Sequence, residues 1–137
     1  MRKLFLLLSL FTVMILSCGT EGKQGGETSS NKEGKRKFKI GITQIVAHPA
    51  LDKAREGFKD ALKEAGIEAE YDEKNANGEV STANLIANTL VSSKPNLIYA
   101  IATPTAQAAA QSTNEIPIVF SAITDPKSAG ILKGNVT

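Results

Sequence analysis

From Lys37 onward, apolar residues change spacing in a regular order. Phe38, Ile40 and Ile42 alternate with Lys39 and Gly41, which predicts a first strand within Lys37–Val46. The spacing then becomes helical. Leu51, Ala54, Phe58, Ala61, Leu62 and Ala65 share one face of a helix predicted over Ala50–Ala65, charged residues cover the other, and Gly66 is the expected stop. Ile67, Ala69 and Tyr71 alternate with Glu68 and Glu70, which predicts an edge strand over Ile67–Tyr71. Asn75–Glu79 is turn chemistry, and Ala83, Ile86, Ala87 and Leu90 mark a helix over Val80–Ser92. Lys94-Pro95-Asn96 ends it. The unbroken apolar run Leu97–Ala102 predicts a strand covered on both faces. Thr103 is the expected N-cap of a helix over Pro104–Ser112, with Pro104 at its first position, where a missing N–H costs nothing. Ile116–Ser121 is the fourth predicted strand, followed by the loop Ala122–Pro126. Gly41, inside a strand, predicts close approach of a neighbouring backbone.

Strand and helix thus alternate through four strands. The expected fold class is α/β: a parallel sheet, right-handed crossovers and helices on both faces. Ligands of such sheets bind beyond the carboxyl ends of the strands, where strand order switches. Three polar clusters are expected there: Thr43-Gln44, Thr103–Thr105, and Ser121 with Thr124-Asp125.

The helix start at Thr103–Thr105 offers two hydroxyls, the positive end of a helix dipole and the N–H groups of Thr105 and Ala106. That suits a ligand carboxylate. Asp125 is a counter-charge for a ligand ammonium, and Asp-Pro equally starts a turn. Gln44 either meets the ligand or ends a strand in solvent. His48 is either a pocket wall or a loop residue. A small zwitterion such as an amino acid fits this set.

Composition removes other classes. One Cys and one His exclude a disulfide within the chain and a Cys-rich metal site. No Gly-x-Ser-x-Gly, Gly-x-Gly-x-x-Gly or Walker loop is present, and an enzyme is not expected. A receiver-like signalling domain needs acidic residues where Gln44 and Thr103 stand. No cofactor is implied.

The first residues change where the protein works. Met1-Arg2-Lys3 is basic and Leu4–Leu16 is apolar, a pattern that predicts a signal peptide over residues 1–17. Ser17-Cys18 resembles a bacterial lipobox, so Cys18 is expected to carry lipid, and the polar stretch to Arg36 is expected to be a flexible tether. Of the 16 basic residues, Arg2 and Lys3 fall in the leader, which leaves 14 basic against 14 acidic. No basic patch points to nucleic acid.

Four motifs carry a family resemblance: Gly41-Ile42-Thr43-Gln44, His48–Asp52, Ala102–Ala108 and Phe120–Pro126. Together they resemble the ABC transporter substrate-binding proteins of the tryptophan/tyrosine type, over about Lys37–Thr137. The resemblance implies a lipid-anchored or periplasmic protein in the cell envelope. It has two α/β lobes of the type I periplasmic-binding kind, with ligand closed between them. It implies capture of an aromatic amino acid for an ABC permease and its ATPase. It also implies Thr103, Thr105 and Asp125 as ligand contacts, with Gln44, His48 and Ser121 as further candidates. The chain stops at Gly134-Asn135-Val136-Thr137, about where the family crosses to its second lobe. Residues 37–137 are therefore expected to form the N-terminal lobe, with weak or absent binding when alone. A sugar or branched-chain amino acid ligand, or a membrane-tethered sensory or interaction module, are the alternatives.

Overall fold

The structure, a computed structural model, describes residues 37–132. The expected leader, Cys18 and the tether lie outside the described residues. Seven elements follow in order: β1 (Phe38–Gln44), α1 (Pro49–Glu64), β2 (Ala69–Asn75), α2 (Val80–Ser92), β3 (Leu97–Ile101), α3 (Thr103–Ser112) and β4 (Ile118–Ser121). The strands form one parallel sheet of order β2-β1-β3-β4.

That order places the helices. The chain steps from β1 outward to β2 through α1, then back past β1 to β3 through α2, and on to β4 through α3. Right-handed crossovers in opposite directions put α1 on one face and α2 with α3 on the other. The contacts agree. Leu51, Phe58 and Leu62 of α1 pack on Ile40, Ile42, Tyr99 and Ile101. The Phe58 and Tyr99 rings stack with centroids 4.1 Å apart. On the other face Ala83, Ile86, Ala87, Leu90, Ala106, Ala108 and Ala109 pack around Ile98 and Ala100. Small residues on α3 let it lie close to the sheet. At Gly41 it is a side chain, not a neighbouring backbone, that comes close: an added Cβ would stand 3.1 Å from Leu90 Cδ2.

Boundaries differ from the sequence reading for identifiable reasons. Ile67 belongs to the end of α1 and not to β2. Its N–H donates to Leu62 O (2.9 Å), that of Gly66 donates to Lys63 O (3.0 Å), and Gly66 has φ +72°. This is a Schellman motif, which uses Ile67 before the strand begins. Similarly, Ile116 N–H donates to Thr113 Oγ1 (3.2 Å), so Ile116 closes a turn and β4 starts two residues later.

The α1 face is less completely covered. An apolar groove of about 360 Å³ opens there between Phe58 and Leu62 on one side and Phe38, Leu97 and Val119 on the other. It lies at the amino ends of the strands, away from the polar clusters.

Candidate functional site

The parallel register aligns Asn75, Gln44, Ile101 and Ser121 in one row across the carboxyl edge of the sheet. Strand order reverses between β1 and β3. The loop after Gln44 and the turn at Ala102 therefore flank the switch point, where such sheets take ligands.

Ala102 shapes this point. Its φ of 86° and ψ of 156° form a conformation close to glycine-only, which costs on the order of 1–3 kcal/mol. Three hydrogen bonds hold it. Ala102 N–H donates to Ser121 O (3.0 Å), while Ala102 O accepts from Ala106 N–H (3.2 Å) and Thr105 Oγ1 (2.9 Å). Ala102, not Thr103, is consequently the N-cap residue, and no side chain caps α3. The turn places Thr103 one position further in, as the first helical residue.

This divides the expected ligand groups. The Ala106 N–H closes the first turn of α3 and is not available to a ligand. Thr105 is fully buried, and its hydroxyl donates inward, shared between Ile101 O (2.7 Å) and Ala102 O. The expected outward Thr105 hydroxyl is thus turned to the backbone. The N–H groups of Thr103 and Thr105 have no acceptor within the helix, and Pro104 has no N–H. Half-buried Thr103 makes no side-chain hydrogen bond with another described residue. Two orphan amides, one hydroxyl and a helix dipole remain at the switch point.

Gln44 is locked rather than presented. It is buried, its Nε2 donates to Val46 O (2.8 Å) and Asp52 Oδ1 (2.9 Å), and its Oε1 accepts from Arg55 Nη1 (3.4 Å). Arg55 also pairs with Asp52 and Glu73, so β1, β2 and α1 are tied below the rim. The 45–48 loop inherits its shape from this network. Spacing in the sequence carries no trace of it, because the partners meet only across elements. His48, expected in the pocket or loop, is the N-cap of α1, where its Nδ1 accepts from Ala50 N–H (3.2 Å). Ser121 Oγ is 2.7 Å from the Tyr99 hydroxyl, which also reaches Ala54 O (3.3 Å), so it faces α1.

Asp125 makes the turn that its Asp-Pro sequence allowed. One carboxylate oxygen accepts from the N–H groups of Lys127 and Ser128, both at 3.1 Å, and the other bonds the Ser128 hydroxyl. The Ser128 hydroxyl, then the Ser128 N–H, hold this exposed carboxyl below the ordinary aspartate value, with Lys127 N–H adding to them against slight desolvation. Gln107 Nε2 donates to Ala129 O (3.0 Å) and Ile131 is buried in the apolar core that includes α3, so the Asp125 loop is anchored beside α3. Thr43, expected with Gln44 in a polar cluster at the rim, turns its hydroxyl inward. It is buried on the α2–α3 face without a hydrogen-bond partner among the described residues.

Orphan amides at the switch point of a parallel α/β sheet are a geometry that suits an anion. The chain belongs to the ABC transporter substrate binding protein family, whose profile matches residues 39–136. That is a family of binding proteins, not of enzymes. A curated tyrosine-binding protein from Clostridioides difficile (strain R20291) is 41% identical over 125 residues, covering 88% of this chain and 36% of its own. Among solved structures, an ABC domain from Streptococcus pneumonia in complex with L-Trp is 36% identical with a TM-score of 0.69, over 72% of this chain and 35% of that one. A ligand-free, open substrate binding protein with adhesive properties from Clostridium difficile is 46% identical with a TM-score of 0.68, over 71% and 34% of the two chains. The chain therefore spans about a third of the length of these relatives.

Proposed function

We propose that this chain supplies one lobe of a substrate-binding lipoprotein of an ABC importer, which captures an aromatic amino acid and delivers it to a permease. The observation that carries the reading is the start of α3. Thr103 and Thr105 N–H groups and the Thr103 hydroxyl stand at the switch point, with the dipole of α3 behind them, and a carboxylate fits there. On this reading the Asp125 carboxylate, carried by the loop beside α3, would be the counter-charge for the ligand ammonium. Aromatic specificity is supported by the tyrosine-binding and L-Trp-bound relatives.

Anchoring in the bacterial cell envelope is supported by the basic start, the apolar run and Ser17-Cys18. Labelling with a palmitate analogue tests it: the intact chain takes up label and Cys18→Ser does not.

Calorimetric titration tests the ligand reading. A rim open to water on one side holds polar groups weakly. We expect L-Trp and L-Tyr to bind this chain with Kd of about 1 mM or weaker. Tryptamine, which lacks the carboxylate, should not bind. Equal binding of tryptamine would refute the carboxylate site, and micromolar affinity would show that one lobe suffices.

A further inference from the structure

We propose that the N–H of Ala47 is a further ligand donor, aimed at the carboxylate from the β1 side of the switch point, and that Gln44 is the positioning residue that holds it there. The inference rests on the ligand reading above and adds a donor from the strand facing α3.

The argument starts at the Gln44 amide, whose orientation its partners decide. Arg55 offers only donors, so Oε1 turns to its Nη1 (3.4 Å). Asp52 Oδ1 and Val46 O offer only acceptors, so Nε2 donates to both, at 2.9 and 2.8 Å. Gln44 is 1% exposed, and Asp52 and Arg55 are themselves ion-paired. The amide is therefore fixed, and it fixes the Val46 carbonyl.

A trans peptide is planar, with its C=O and N–H on opposite sides. Gln44 follows Ile40 and Ile42 on the α1 face of β1, so the Val46 carbonyl is drawn toward α1. The Ala47 N–H belongs to the same peptide unit. It points away from α1, to the side of the sheet on which α3 begins. Ala47 is exposed, and its N–H makes no hydrogen bond with another described residue. The chain is pinned on either side: Ile45 O accepts from Gly78 N–H (2.7 Å) and His48 O from Asp52 N–H (2.9 Å). An ordinary exposed loop amide has no set direction. This one has its direction before a ligand arrives, which spares the cost of ordering it on binding. With Thr103 and Thr105 N–H opposite, a carboxylate at the switch point meets donors from both flanking strands.

Amide-resolved NMR of the isotope-labelled full chain tests the proposal, with L-Trp as ligand and tryptamine as the probe lacking a carboxylate. The Ala47 amide should shift along the same saturation curve as that of Thr103 and exchange its hydrogen more slowly at saturation. Tryptamine should move neither. Gln44→Glu combined with Asp52→Asn keeps size and net charge and still accepts from Arg55, but a carboxylate at position 44 cannot donate to Val46 O. This double variant should bind L-Trp at least about fivefold more weakly and lose the Ala47 response while the Thr103 response persists. Circular dichroism checks its fold, and the titration of the parent chain decides by itself if the variant does not fold. A Thr103 response with Ala47 unmoved, or unchanged affinity in the folded double variant, would overturn this proposal alone. Silence of both Thr103 and Thr105 would overturn the ligand reading and this donor with it.

Discussion

Ala102 turns two similar threonines into different instruments. Its left-handed φ sends the chain into α3 so that Thr105 points at backbone carbonyls while Thr103 stays at the rim. Thr103→Val should therefore lower L-Trp affinity about five- to tenfold and leave the urea midpoint unchanged, because it removes a hydroxyl that bonds nothing in the described lobe. Thr105→Val should cost about 1 kcal/mol of stability through its lost buried hydrogen bond. Binding and unfolding measured on both variants separate the roles. The sequence showed that a helix started here with groups to offer. It did not show which hydroxyl turned inward, because that depends on one backbone angle at an alanine. Asp125 makes a second claim at this scale. A carboxyl whose pKa is lowered by folding contributes stability above its unfolded value, and loses it as pH falls through the folded value. Ser128→Ala removes the largest cause, and an NMR titration should then find Asp125 protonating at higher pH than in the parent chain.

Among the elements, α2 was legible to the residue, since its apolar spacing is clean and Lys94-Pro95 ends it. β2 was displaced because five of its seven residues, Glu70, Asp72, Glu73, Lys74 and Asn75, are polar. Glu73 meets Arg55 and Lys59 of α1, so this strand is fixed by ion pairs across elements that no alternation records. The sequence left His48 as either a pocket wall or a loop residue because histidine is an unusual cap, yet the start of α1 uses it as one. His48→Ala should cost about 0.5–1 kcal/mol, and His48→Asn should restore the cap, as thermal unfolding can show. Gly41 sets how closely α2 approaches β1. Gly41→Val should destabilise the lobe by about 1–3 kcal/mol in urea unfolding, because the branched side chain meets Leu90 at the sheet.

At the scale of the whole molecule, strand order does what no single residue does. With β1 and β3 adjacent and the crossovers leaving in opposite directions, the carboxyl ends of the strands share one edge at a switch point and the start of α3 lies on it. The alternation of elements was enough to predict this architecture, since handedness leaves few ways to arrange such a series. The polar rim and the apolar groove lie at opposite ends of the strands, so the fold poses a clear alternative for where an aromatic amino acid binds. The most direct measurement is an amide-resolved NMR titration of the chain with L-Trp. The account expects the Thr103, Thr105 and neighbouring rim amides to shift in a saturable way, with those of Phe38, Leu97 and Val119 unmoved. Shifts confined to the groove, with Thr103 and Thr105 unchanged, would contradict it.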